Sequence, residues 1–84
     1  MDPRFRITIG SDPDHEDLVG ELYFAGQIVC VLTQERGYEA MEIELHVPRG
    51  EQKSVLPAAA FFEALEHLRK RMQELRRIEP GPGA

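Results

Sequence analysis

Residues 17–47 read DLVGELYFAGQIVCVLTQERGYEAMEIELHV, two β-hairpins in succession that share one almost wholly apolar face. From Leu18 to about Phe24, and again from Gln27 to Glu35, the chain is rich in the branched and aromatic residues that suit a pleated, half-buried surface. Ala25-Gly26 supplies the turn between them. Glu35-Arg36-Gly37-Tyr38 makes a second turn. Beyond it Met41, Ile43, Leu45 and Val47 alternate with Glu42, Glu44 and His46, the period-2 pattern of a strand with one side buried.

Register within the first hairpin follows from the same alternation, because a one-residue slip sends every side chain to the opposite face. A two-residue loop pairs Phe24 with Gln27 and sets Leu22 against Val29. A three-residue loop, with Gly26 left-handed, pairs Tyr23 with Gln27 and sets Leu22 against Ile28, Gly20 against Cys30 and Leu18 against Leu32. The second arrangement gathers the apolar side chains on one face and is the expected one. It leaves Val19, Glu21, Tyr23, Val29, Val31 and Thr33 on the other.

Upstream, Phe5, Ile7 and Ile9 alternate with Arg4, Arg6 and Thr8, a further strand that Gly10-Ser11-Asp12-Pro13-Asp14 ends. Downstream, residues 48–53 form a polar loop, and Pro57 suits the first turn of a helix, where its missing N–H costs nothing. Ala58, Phe61, Phe62, Leu65, Leu68, Met72, Leu75 and Ile78 then recur at three- and four-residue steps as one apolar stripe.

The pattern predicts an α+β fold: a four-stranded antiparallel β-meander sheet with one C-terminal amphipathic helix packed on one face, ββββα. Residues 1–79 are expected to form a single domain and residues 80–84 a disordered tail. The expected core sets Phe5, Ile7, Leu22, Ile28, Cys30, Ile43 and Leu45 against Phe61, Leu65 and Leu68. A helix of about 22 residues is about 33 Å long, more than the width of four strands, so Met72, Leu75 and Ile78 are expected to overhang the sheet. That overhang and an open sheet face bearing Val19, Tyr23, Val29 and Val31 are the two apolar surfaces left for self-association or a protein partner.

Composition narrows the function classes. At 84 residues the chain is one small domain with little core to spare for a deep cleft. Cys30 is the single cysteine and sits in an apolar run, which suggests a buried thiol in a reducing compartment. Met1-Asp2-Pro3-Arg4-Phe5-Arg6 lacks the apolar core of a signal peptide and no run is long enough to span a bilayer, so the expectation is a cytoplasmic protein without a membrane segment. A net charge of −5 disfavours general binding to phosphate backbones, although Arg69, Lys70, Arg71, Arg76 and Arg77 give the helix a basic end. Nucleic acid is therefore not the expected partner.

Catalytic patterns are weak throughout. Asp12-Pro13-Asp14-His15-Glu16-Asp17 has carboxylates at alternate positions but neither the glycine nor the distal bidentate Glu of a calcium loop, and it reads as a solvated turn. His15, His46 and His67 lie on separate elements without paired spacing for zinc. His46 is expected to face outward beside Glu44, His67 to pair with Glu63 and Glu66 to pair with Lys70 along the helix. Cys30 has only apolar neighbours in sequence and reads as core. Ser11 and Ser54 lie in loops without a nucleophile's setting, and the glycines are scattered singly at turns and strand ends. The expectation is no enzyme, no cofactor and no metal.

The run Asp17-Leu18-Val19-Gly20-Glu21-Leu22-Tyr23-Phe24-Ala25-Gly26, with Val31-Leu32-Thr33-Gln34-Glu35 and Met41-Glu42-Ile43-Glu44-Leu45, resembles a group of short uncharacterised bacterial proteins. These share a Leu-Val-x-Glu strand, a Gly-containing turn and a second strand ending near Gln-Glu. The resemblance covers roughly residues 7–47 and implies a bacterial accessory protein with no assigned activity. Together these readings lead to an expected protein-binding module, an acidic inhibitor of the immunity or anti-defence kind. The alternative is a structural or regulatory homodimer that uses the open sheet face or the helix overhang. The residues expected to carry partner contact are Glu21, Tyr23, Val29, Val31, Glu42, Glu44, Met72 and Leu75, with Asp12 and Asp14 beside them.

Overall fold

The computed structural model describes residues 1–78, and the expected tail at 80–84 lies outside them. Strands β1 (Phe5–Gly10), β2 (Val19–Phe24), β3 (Gln27–Thr33) and β4 (Glu42–Leu45) form one antiparallel sheet in the order β1-β2-β3-β4, and helix α1 (Ala58–Ile78) follows them. A 3₁₀ turn at Tyr38–Ala40 joins β3 to β4. The ββββα architecture is the one the alternation and the helical stripe dictate.

The β2–β3 hairpin closes differently from expectation. Ala25 and Gly26 both have positive φ, 50° and 85°, as the central pair of a two-residue primed turn requires, and Phe24 pairs with Gln27. Tyr23 then faces Ile28, but Leu22 faces Cys30 and Gly20 faces Leu32. A bulge has inserted Val29 as an extra residue. The ladder is thus two residues away from the three-residue-loop register. Because that displacement is even, Gly20, Leu22, Cys30 and Leu32 keep the common face foreseen for them. Ile28 moves to the opposite face beside Tyr23, and the bulge brings Val29 into the core.

Helix α1 packs on β1 and β2. Near its start Phe61 lies 6.3 Å from Phe5, itself 4.7 Å from Phe24, ring centre to ring centre. Farther along, Met72 and Leu68 sit over Gly20: a Cβ there would lie 2.7 Å from Met72 Sδ and 2.8 Å from Leu68 Cδ1. Gly20 therefore allows a close helix-to-sheet approach. From Phe61 to Met72 the helix rises about 16 Å, and from Phe24 to Gly20 the strand rises about 13 Å. The helix consequently runs along the strands rather than across them.

That direction overturns two expectations. Met72, foreseen in the overhang, is only 1% exposed and belongs to the core with Phe5, Leu22, Cys30, Ala64 and Leu68. Ile43 and Leu45, foreseen in the core, are 42% and 74% exposed, because a helix aligned with β1 and β2 does not reach β4. Leu75 is half-buried.

The second sheet face is covered as well. Segment 11–18, between β1 and β2, reaches as far as β4, where His15 Nε2 lies 3.5 Å from Glu44 Oε1. The Gln34 side-chain amide donates to the Leu18 carbonyl at 3.0 Å, and the Glu16 amide donates to Glu35 Oε1 at 2.9 Å. Val19, Val31 and Thr33 are buried in consequence. The loop thus occupies much of the face expected to lie open.

Candidate protein-binding surface

The β4 side of the domain gathers the uncovered apolar residues. Ile43, Leu45 and Val47 alternate with the exposed Glu42, Glu44 and His46, so one flank of the strand is apolar and the other acidic with one imidazole. Val55 and Phe62, 79% and 65% exposed, stand on the segment that leads into α1 and on its first turns. Between these elements lies a shallow cavity of about 250 Å³, lined by Val29, Leu45, His46, Val47, Ser54, Leu56 and Phe61. It offers an apolar hollow with little polar lining, suited to an aliphatic or aromatic side chain.

The chain holds β4 in place from two directions. On the helix side the Tyr38 hydroxyl accepts from Arg69 Nη1 and lies 3.3 Å from Gln73 Oε1, to which it donates, so the 3₁₀ turn entering β4 is tied to α1. The Arg69 guanidinium also lies 5.7 Å from the Tyr38 ring centre and bonds the Glu66 carboxylate, which raises the Arg69 pKa further and lowers that of Glu66. On the other side, His15 lies between Glu44 and Asp12, whose Oδ2 is 3.6 Å from His15 Nδ1. Asp12 in turn accepts the Asp14 amide at 2.8 Å, an Asx-type turn that shapes this loop. The acidic segment is thus a structured cover whose His15 is half-buried. Asp12 is half-buried beside His15, and Asp14 is exposed.

The residues singled out from the sequence separate into distinct settings. Glu42 and Glu44 lie exposed on β4, Arg36 Nε standing 3.8 Å from Glu42. Glu21 and Tyr23 share the second face, where Glu21 accepts from the Thr8 hydroxyl at 2.9 Å and the Arg6 guanidinium covers the Tyr23 ring at 5.2 Å. Val29 and Val31 are buried and Met72 is core, so these three present no free surface for a partner. Ile43, Leu45, Val47, Val55 and Phe62 take their place as the accessible apolar set. One signal for this was present in the sequence: neighbouring Phe61 and Phe62 lie about 100° apart around a helix, so when Phe61 points into the core Phe62 stands at the margin of the buried stripe.

Other candidate groups take structural roles. Cys30 is fully buried and its burial pushes the thiol pKa up to about 11, which leaves a packing residue rather than a nucleophile. His46 is exposed, as expected beside Glu44. Glu63 bonds the Met1 amino group at 3.1 Å instead of His67, and Glu66 bonds Arg69 instead of Lys70. Among the described residues no cluster of three or more His, Cys, Asp or Glu side chains could hold a metal ion, and no helix is long and apolar enough to cross a membrane.

No protein-family model, curated protein or solved structure matches the chain. The resemblance to short bacterial proteins thus rests on the residues quoted for it.

Proposed function

We propose that this chain is a non-enzymatic protein-binding module that engages its partner through the β4 side of the sheet. The observation that carries this reading is the exposure of every residue of β4, Leu45 above all, on a strand that lies at the sheet edge. An edge strand offers unpaired N–H and C=O groups, and natural domains normally blunt or cover such a strand. Here the edge is joined to an exposed apolar stripe and to a hollow that accepts a side chain, the features of β-strand addition.

The acidic flank fits the inhibitor form of this reading. Glu42 and Glu44, in a domain of net charge −5, steer encounter with a basic protein surface while the apolar flank supplies contact area. A cytoplasmic bacterial accessory protein of the immunity or anti-defence kind would work in this way.

A photoreactive amino acid placed at Leu45, and separately at the exposed Thr8 on the opposite edge, tests the surface in cells. Protein adducts from position 45 and none from position 8 are expected. Adducts from both positions alike, or none from position 45, would remove the reading.

A further inference from the structure

The β4 edge complements itself in one register, which takes the protein-binding reading above in its homodimer form, in place of the inhibitor form, and rests on that reading. The His46 amide donates to the Val29 carbonyl at 2.9 Å, next to the pairs Cys30–Leu45 and Val31–Glu44. Peptide groups alternate in direction along an antiparallel strand. Residues 42, 44 and 46 therefore turn their N–H and C=O groups towards β3, and Ile43, Leu45 and Val47 turn theirs to the open edge. We infer that the occupant of this edge is a second copy of the chain, its β4 laid antiparallel on this one about a two-fold axis at Leu45.

Charge selects the register. An axis at Ile43 sets Glu42 opposite Glu44 on both sides, and an axis at Glu44 sets the two Glu44 side chains opposite each other; like charges facing across a ladder repel. An axis at Leu45 sets Glu44 opposite His46 on both sides, an imidazole N–H facing a carboxylate. It also sets Ile43 opposite Val47 and Leu45 opposite Leu45, so apolar side chains meet on one face and polar ones on the other. In this alignment the directly bonded positions are 43, 45 and 47, whose peptide groups are the free ones. Backbone and side chains thus choose the same pairing.

The edge is accessible to such a partner. Residues 48–56 turn back towards the tip of the β2–β3 hairpin, where Pro48, Glu51 and Lys53 line a hollow with Phe24, Ala25 and Gln27. His15 of the same chain flanks Glu44 from the second face, so in the dimer this carboxylate lies between two imidazoles. Pairing by a two-fold axis gives a closed, isologous assembly with one continuous sheet and no free β4 edge.

Disulfide trapping and native mass test the arrangement. As a bonded pair the two Leu45 Cα atoms lie about 5.5 Å apart, within reach of a disulfide, whereas the two Ile43 residues lie about 13 Å apart along the ladder. Both cysteine variants carry Cys30→Ala, because Cys30 pairs directly with Leu45 across the β3–β4 ladder and would bond a cysteine there within one chain. Leu45→Cys should oxidise to a covalent dimer at least about tenfold faster than Ile43→Cys, and the unmodified protein should sediment at twice the 9.6 kDa chain mass. Glu44→Lys should weaken dimerisation about tenfold, and the exchange Glu44→His with His46→Glu should restore it, since the same pairs re-form. Faster trapping at Ile43→Cys, or a dimer indifferent to Glu44→Lys, would overturn the register. A monomer at every concentration would overturn the dimer; adducts at position 45 to a different protein would then keep the binding reading, and their absence would end both.

Discussion

The two edges of the sheet are made from similar strands and meet opposite fates. On β1, Phe5 is buried, Ile7 and Ile9 pack against the core, and Arg6 lies over the Tyr23 ring at 5.2 Å, while Arg4, just before the strand, lies over the Phe24 ring at 5.3 Å. On β4 the same apolar alternation is left bare. Intrinsic pattern does not separate them, since both read as half-buried strands. The direction of α1 does, because a helix aligned with β1 and β2 finishes one edge and leaves the other as surface. One edge thus serves stability and the other is available for association.

The sharpest test of that division is a pair of leucine truncations. Leu68→Ala removes a fully buried side chain beneath the helix and should cost about 2–5 kcal/mol, read from the denaturant midpoint. Leu45→Ala should change the stability of the isolated subunit by no more than about 0.5 kcal/mol. Equal losses would mean that β4 is as much a part of the core as β1.

A smaller effect is expected at Gly20. Its missing side chain is what brings Met72 and Leu68 down onto β2, and Gly20→Ala should cost about 1–3 kcal/mol through overpacking. Gly10, on the same sheet, has nothing within 4 Å of the place a methyl would take, so it serves as the comparison and should tolerate alanine in the same unfolding experiment. Loss at both positions alike would show that the effect is one of strand glycines generally and not of helix approach.

Next in size is Tyr38→Phe, which removes the hydroxyl shared with Arg69 and Gln73 and should cost about 0.5–1.5 kcal/mol. Amide exchange should speed up in β4 more than in β1, since the tether acts on the β4 side.

The smallest effect belongs to the approach to β1, where Arg4 bonds the Asp2 carboxylate and holds its pKa down to about 2. A depressed carboxylate pKa stabilises the folded state above the unfolded pKa of 3.8, and the gain fades as pH falls from there through about 2. Asp2 is half-buried but its partner Arg4 is exposed, so solvent screening of the pair keeps its effect on the unfolding midpoint slight. Its titration followed by NMR should shift upward in Arg4→Ala, whereas a titration unmoved by that change would deny the pairing.

Strand order and the helix were legible because period-2 and period-3.6 patterns state them directly. The side-chain parity of Leu22, Cys30 and Leu32 was legible too, although the turn between their strands is one residue shorter than the pattern suggests. The bulge at Val29 left no mark, since an extra valine among Ile28, Val31 and Leu32 does not disturb an apolar run. The direction of α1 was hidden for a different reason: a stripe of leucines specifies which helix face is buried, but not its heading over the sheet. Gly20 was the missed clue to where the helix comes close. The reach of His15 to Glu44 depends on tertiary proximity, so the burial of Val19, Val31 and Thr33 could not be read from local pattern.

The cover over β1 and β2 also has an order in time. Synthesis delivers all four strands before α1, so the face carrying Phe5, Ile7, Leu22 and Cys30 emerges from the ribosome without its lid. The hairpins can close locally at once, but the sheet stays sticky until Met72 has been made and the helix has docked. A chain halted in the segment before Ala58 would hold a paired sheet with a greasy side facing solvent, a form that chaperones and proteases are built to recognise.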